Sequence, residues 1–487
     1  MKHGPRFFGV KTCTCFLALR AVLKRSRSFR IAANSRLTLL AIGLSASLST
    51  PLMASSFAVT TTLDAVDLIP GDGVCATAIA ACSLRAAISE ANALAGADTI
   101  ILPSGNFVLT IAGAAEDENV SGDLDISSSI TLQGLGSAQS VIDGNTLDRV
   151  LDVHGADNQV ALLGLTLRNG IADGAQADSN AGAGLRVGVA VQLQLSEVDV
   201  TDNLAIGTLG AIGIENFGCI TGSRVRVIGN RLSPIASAFA LAGGIATHGA
   251  MSCLNLDRSE ISANVAQDVG GIYAEAHAPI QMRNSLIAGN VGSVGALLLN
   301  QNNTVVFENV TVSSNQGGLA AILNDGGSQL SLRNCTVTKN RAATGSSIVG
   351  GIMDVHGMPG TPGLVDISNS IVAGNGPGTT ADDCLNIHAG TGGNIVGDSG
   401  RCRYVSAVGD QLDVDPQLSP LQDNGGATRS HLPGAAAIDH GSAQNCAELD
   451  QRGVTRPQDG DGDGTAVCDA GAVEIYRGLF ADSFEAR

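Results

Sequence analysis

The sequence predicts an all-β protein. The expected fold is a single-stranded, right-handed parallel β-helix of roughly 12 rungs, with an N-terminal capping helix and a loop-rich C-terminal cap. Three observations predict it. Glycine supplies 62 of 487 residues, about one in eight against a usual share of about 7%. Hydrophobic residues reach 44%, yet aromatics are only 3% and Trp is absent. That composition suits a core of small side chains and disfavours modules that stack nucleic-acid bases on aromatic rings. Finally, a repeat of about 25 residues runs through the middle of the chain. Collagen is excluded because glycine does not recur at every third position.

Taken in order, residues 1–56 read as an export signal, possessing an extended basic stretch. Lys2, Arg6, Lys11, Arg20, Lys24, Arg25, Arg27, Arg30 and Arg36 precede an apolar run at 37–48 and the small residues of MASSFA, with cleavage expected between Ala54 and Ala58. The apolar run is too short for a membrane span, and no later stretch of 18 apolar residues exists. The whole chain carries a net charge of −17. Without residues 1–58 the body holds 19 basic against 45 acidic residues, a net −26, and Lys339 is its one lysine. Such a surface repels nucleic acid and anionic lipid and suits an exported protein, secreted or on the outer surface of a bacterium.

Residues 57–110 predict a cap. Ser83-Leu84-Arg85 opens an amphipathic helix whose face carries Leu84, Ala87, Ile88, Ala91 and Leu94, with Gly96 ending it. A solenoid needs its open hydrophobic end covered.

Residues 111–400 are assigned to the rungs. Seven segments end in an asparagine: Asn203, Asn230, Asn264, Asn290, Asn315, Asn340 and Asn375, spaced by 27, 34, 26, 25, 25 and 35 residues. Three residues before each stands Val or Ile: Val200, Val227, Ile261, Ile287, Val312, Val337 and Val372. Positions −8 and −10 are nearly all apolar, position −7 is polar, and the parity shifts between −8 and −5. Period-two alternation means strands with one face inward, and the parity shift means a bend. A second signature, Gly243-Gly244-Ile245, Gly270-Gly271-Ile272, Gly317-Gly318-Leu319 and Gly350-Gly351-Ile352, marks a further corner and strand. Propeller blades need about 40–45 residues, more than this repeat provides. Stacked rungs about 4.8 Å apart give a rod of about 55–60 Å. The asparagines are expected to form a buried amide ladder at one corner.

Stacking also predicts contacts. Cys219 and Cys253 both stand eleven before their asparagines, which places them on adjacent rungs within disulfide reach. Cys75 with Cys82, Cys384 with Cys402, and Cys446 with Cys468 are the neighbouring pairs, and Cys335 is left as a buried core thiol. At position −7 the signs alternate through Asp257, Arg283, Glu308 and Arg333. Alternation is what a register-holding ladder needs, so this reading is favoured over a catalytic row.

Both ends of the array carry a resemblance. CSLRAAISEAN, flanked by PGDGVC and ILPSG, resembles the CSLREA domain, with Ala86 in place of its Glu. In that family the domain stands at the N-terminus of exported bacterial proteins, often before β-helix repeats. Within residues 401–476, NGGAT, HLP, AIDHG, DQRGVTRP and CDAGAVE resemble the choice-of-anchor Q domain, with Ala436-Ala437 in place of the usual Ser-Pro. Residues 477–487 form a short tail similar to Phe-Glu tails of secreted proteobacterial proteins. Neither resemblance implies a biochemical activity.

Candidate chemistry is sparse. Asp459, Asp461 and Asp463 match the start of a calcium loop, so calcium is the one cofactor suggested; position twelve is Ala470, where the closing Glu would stand. Asp382-Asp383 is an adjacent carboxylate pair, and Lys339 with Arg341 is the nearest basic group for a lyase. His154-Gly, His248-Gly and His356-Gly share no sequence context. The function expected is a monomeric structural or adhesive rod binding polysaccharide or a cell-surface protein. The alternative is a polysaccharide lyase or glycoside hydrolase on the same fold, which fold alone does not separate. A charged groove with clustered carboxylates and Arg on an outer sheet speaks for the enzyme, and a smooth Ser/Asn-rich face for the adhesin.

Overall fold

The computed structural model describes residues 54–476, apart from 114–115, 174–180, 208–209, 234–239, 343–348, 356–363, 377–381 and 388. The tail at 477–487 and the signal segment, save its last three residues, lie outside that range. Residues Leu52–Arg487 form one compact unit. Ser56, placed by sequence at the end of the signal segment, begins the first strand, Ser56–Ala58.

The unit is a right-handed parallel β-helix built from two long parallel sheets and a short third one. In the first sheet twelve strands stack in succession, from Ser56–Ala58 to Ala389–Gly390. A second strand of each rung, such as Arg226–Ile228 or Thr311–Ser313, joins the same sheet after a bend. The second sheet runs from Leu124–Ile126 to Cys384–Leu385. The third links Ile171–Ala172, Leu204–Ala205 and Arg231–Leu232.

Two backbone positions make the rung turn. At −6, Glu197, Arg224, Arg258, Asn284, Asn309, Asn334 and Asn369 all have φ between 45° and 55°. At −1, Asp202, Gly229, Ala263, Gly289, Ser314, Lys339 and Gly374 are also left-handed. A single left-handed residue reverses which face the next side chain points to. That accounts for the parity shift, and it leaves Val200, Val227, Ile261, Ile287, Val312, Val337 and Val372 fully buried.

The asparagines lie at the corner just after the second bend, and all seven are buried. The backbone N–H and the Nδ2 of Asn203 both donate to Asn230 Oδ1, at 3.1 and 2.8 Å. The same double donation passes from Asn230 to Asn264, Asn290, Asn315, Asn340 and Asn375. From Asn230 to Asn375 each Nδ2 also reaches the carbonyl of the Val or Ile at −3 on the preceding rung, as Asn290 does to Ile261 at 2.9 Å, and Asn203 Nδ2 reaches the Leu167 carbonyl. Asp383 Oδ1 ends the row by accepting from Asn375 N and Nδ2. A shorter hydroxyl row runs at −5, where Val225 N donates to Ser259 Oγ and Ser259 N to Ser285 Oγ. Cys335 stands in this column as a buried free thiol, its N–H bonded to Ser370 Oγ, and burial pushes the thiol up to about 12.

One expectation fails in register. Ile245, Ile272 and Ile352 begin second-sheet strands after their glycine pairs, but Gly317-Gly318-Leu319 does not. In that rung Ile322 holds the equivalent place, paired with Leu297 and Ile352, and Ala321 replaces the second glycine. Glycine is needed where rungs approach closely: a Cβ on Gly271 would strike the Ala296 carbonyl.

The N-terminal helix spans Leu84–Ala93, capped by Ser83, whose Oγ accepts from Ala86 N at 3.1 Å. It covers the first rungs: Asn92 Nδ2 donates to Asp125 O, and buried Arg85 binds Asp64 and the carbonyls of Gly122 and Asp123. At the other end Gln411–Leu412 closes the last rung. The region beyond then folds back along the flank of the rod. Gln451 accepts from Thr311, His431 Nε2 meets Ser313 Oγ at 2.9 Å, Asn334 accepts from Ala447 N, and Asn369 exchanges two bonds with Ser442.

Removing one ladder amide strands several buried donors and acceptors, each worth about 1–3 kcal/mol. Asn290→Ala is expected to destabilise the rod by about 3 kcal/mol or more, whereas Gln281→Ala on the exposed face changes it by less than about 0.5 kcal/mol. Denaturant melts of the two variants measure this; equal midpoints would remove the ladder from its structural role.

Candidate functional sites on the two outer sheet faces

In stacked parallel strands the outward residues of successive rungs line up in columns. On the first sheet one such column reads Thr131, Ala161, Gln194, Thr221, Asn255 and Gln281. Beside it Gln159 pairs with Gln192. Thr131, Ala161, Gln194 and Thr221 of that column, with Gln159, Gln192 and Cys219, line an open depression of about 580 Å³. Its lining side chains are uncharged amides, hydroxyls and small apolar groups, and Gln159, Gln192, Gln194 and Thr221 are exposed. The Cys219–Cys253 disulfide, with Cα atoms 4.3 Å apart, pins the adjacent rungs at its edge.

The second sheet has a different face. Its central outward column contains Asp125, Asp152, Arg186, Glu215, Ala246 and Tyr273. The next outward residues include His154, Phe217, His248 and Glu275. Sequence alone left the His-Gly pairs unrelated. The structure places His154 and His248 in one position, directly after or at the end of a second-sheet strand; His356 lies outside the described residues.

Ion pairing fills much of this face. Arg186 lies 2.9 Å from Asp152 Oδ2, and Arg149 lies 2.6 Å from Asp123. His248 is held between two carboxylates, with Nε2 2.8 Å from Glu215 and Nδ1 3.2 Å from Glu275. Its ring stacks on Phe217 with centroids 5.0 Å apart, and the Arg186 guanidinium sits 5.9 Å over the same Phe217 ring. Burial works against protonation of His248, but the hydrogen bonds and charges of Glu215 and Glu275 outweigh it and raise its pKa. Burial pushes the Asp125 carboxyl up to about 9, reinforced by Asp123 and Asp152.

The residues singled out from sequence fall as follows. All four cysteine pairs are joined. Asp257, Arg283, Glu308 and Arg333 stack in register on the first sheet. Glu308 pairs with Arg333 and lies 3.9 Å from Arg283, while Asp257 instead meets Arg258 at 3.2 Å and accepts from Asn284. In the acidic turn Asp459 and Asp461 come together with Asp439, and Asp463 is outside that group. Asp463 accepts from Thr465 N. Asp439, missed from sequence, lies twenty residues upstream in the AIDHG motif. Asp383 terminates the amide ladder, and Asp382 pairs with Arg401 at 2.5 Å. Neither carboxylate is available as a hydrolytic pair. Lys339 and Arg341 share a shallow depression of about 510 Å³ whose lining contains no carboxylate, and Lys339 Nζ donates to Ser419 O.

No family model matches the chain, and no curated protein does. Among solved structures, a crystal structure of the pectate lyase Pel9A is similar with a TM-score of 0.43 and 14% identity over 87% of this chain and 98% of that one.

The His248 pair gives a pH test. Its pKa in the folded chain lies above the usual value near 6.5, so the pairing stabilises below that pH and is lost as pH rises through the raised value. An NMR titration of the imidazole is expected to show this, with Glu215→Gln moving the midpoint down. A midpoint at or below 6.5 in the unaltered chain contradicts it.

Proposed function

We propose that the chain is an exported, surface-associated adhesive rod that binds glycans through the outer face of its first sheet. The observation that carries this reading is the column of exposed, uncharged amides and hydroxyls around Gln159, Gln192, Gln194 and Thr221. Carboxamides and hydroxyls both donate and accept, which matches the hydroxyl groups of a neutral sugar. A depression of about 580 Å³ is in the range of small-ligand sites. Its walls are strands with fixed register, so little ordering entropy is lost on binding. Four disulfides support an oxidising compartment. Among the described residues no helix is long and apolar enough to cross a membrane. The resemblance of the two ends to CSLREA and choice-of-anchor Q domains supports export and surface display.

A second reading, a polysaccharide hydrolase or lyase, is favoured by the clustered carboxylates and arginines of the second sheet. Hydrolysis needs two carboxyl groups facing a glycosidic bond across about 5–9.5 Å. Here the imidazole of His248 occupies the space between Glu215 and Glu275, and Asp152 is engaged by Arg186. This pairing is why adhesion is preferred.

A glycan array is expected to show binding to neutral glycans that Gln192→Ala with Gln194→Ala weakens at least tenfold, with the melting curve unchanged. A depolymerisation screen on acidic and neutral polysaccharides is expected to be blank. Running both with and without calcium tests whether Asp439, Asp459 and Asp461 take that ion. Chain cleavage of any substrate, or glycan binding indifferent to the two glutamines, overturns the adhesive reading.

A further inference from the structure

The N-terminal end of the second sheet contains a buried carboxyl group to which no salt bridge is made among the described residues. Asp125 and Asp152 are paired in register on adjacent rungs, and His154 follows Asp152 by two on the same face. One ligand atom from each of the three lies within 4.8 Å of the others. Asp123 has Arg149 as partner, and Asp152 has Arg186, with Arg149 also 3.7 Å away. Two arginines thus offset two carboxylates, and the third, Asp125, is left over.

Asp125 is fully buried. Its Oδ2 accepts from Asn119 N at 3.1 Å, while its buried Oδ1 has no hydrogen-bond partner. The buried Nδ1 of His154 has none either. A carboxylate oxygen and an imidazole nitrogen, both buried and both unpaired, are costly in a protein interior. They lie beside a second carboxylate already oriented by arginine. We propose that Asp125, Asp152 and His154 bind a divalent transition-metal ion, with zinc the best chemical match.

The chemistry of the donors supports the assignment. Imidazole with carboxylate oxygen suits zinc and its neighbours, whereas calcium and magnesium take all-oxygen sets. Three protein ligands leave a fourth tetrahedral position open. The surroundings already hold the ligands in place. Arg186 braces Asp152, and Asn119, fixed to the capping helix by bonds to Arg85 O and Ser89 Oγ, holds Asp125. Such outer partners orient ligands and tune affinity. Arg186 and Arg149 lower the affinity by their charge, and Asp123, just before the strand Leu124–Ile126 that carries Asp125, partly offsets Arg149. The site is separate from the acidic turn of Asp439, Asp459 and Asp461.

The test is a zinc titration of the tag-free, full-length exported chain by calorimetry, with metal content of the dialysed protein measured in parallel. One zinc per chain is expected at this site, accompanied by a rise in melting temperature. Asp125→Asn and His154→Gln should each weaken binding at least tenfold, and Asp459→Asn should not. Far-UV circular dichroism confirms that each variant folds; His154 is partly exposed, so its replacement reports even where Asp125→Asn misfolds. No bound zinc in the unaltered chain, or full binding in His154→Gln, overturns the proposal and leaves a protonated Asp125 only.

Discussion

The buried amide ladder is the constraint on which the rest of the rod depends. Each rung must turn three corners, and at a corner the backbone N–H points out of the strand pairing and needs another acceptor. Asparagine at that point supplies one from its own side chain to the rung before it. The same carboxamide donates onward, so every ladder residue must be both donor and acceptor with a short stem. Serine lacks the second donor, and glutamine places the amide too deep. The left-handed residue at −1 aims the asparagine inward, and the one at −6 sets the preceding bend. Between these fixed points the −3 position of all seven copies holds Val or Ile, a β-branched side chain that fills the corner beneath the amide; Leu167 fills the same column on the rung before the first of them.

That constraint also decides what sequence reveals. The ladder, its apolar columns and the first-sheet strands stand at fixed offsets from one asparagine, so they were legible as columns. The Cys219–Cys253 pairing followed from the same offsets. The second sheet was legible only where a glycine pair marks its strand, as before Ile245, Ile272 and Ile352, because the arc between the asparagine and the next rung varies, giving spacings from 25 to 35 residues. Insertions in that arc shift Glu215, His248 and Glu275 out of any common frame. The misplaced Gly317-Gly318-Leu319 shows the effect directly: two glycines resembled the corner, but they lie inside the strand Gln316–Asn324, and the place equivalent to Ile245 and Ile272 falls at Ile322. Asp439 escaped for a different reason, since it joins Asp459 and Asp461 through a fold-back of the chain.

Residues of the motifs at the two ends hold the structure together. Ser83 caps the helix, Arg85 is buried against Asp64, and Glu90 accepts from Gly71 and Gly73 of the preceding loop. In the C-terminal region Arg456 and Glu474 form a fully buried pair, with Arg456 also binding the carbonyls of Asp469 and Gly471. Removing one partner of such a pair costs about 3–5 kcal/mol, because it strands the other charge. Four successive rungs present asparagine at −6, namely Asn284, Asn309, Asn334 and Asn369, and the last three bond the C-terminal region. Asparagine tolerates the left-handed bend and has an amide free to dock a neighbour. Earlier rungs have Glu197, Arg224 and Arg258 at −6, and the docked region ends its reach near them, at the Arg429–Glu260 pair.

Function on this fold therefore has to be sought in columns instead of motifs. Identical outward positions recur every 4.8 Å or so, which places any two carboxylates on adjacent rungs in mutual repulsion. At an effective dielectric constant near 20 that repulsion is about 3 kcal/mol for charges 4.8 Å apart. The first sheet avoids the cost with uncharged residues at Gln194, Thr221, Asn255 and Gln281, or with alternating signs from Asp257 to Arg333. The second sheet avoids it by inserting Arg186 after Asp152 and His248 between Glu215 and Glu275. Asp125 stacked on Asp152 is where the second sheet does not follow that rule among these residues. The stack sits beneath the capping helix, where solvent cannot screen it. Arg186 and Arg149 already meet Asp152, so in this buried stack it is Asp125 that is left to take a positive charge from outside the chain or a proton. The choice between those two turns on His154, whose unpaired nitrogen adds a ligand for a metal and nothing for a proton-sharing carboxyl pair.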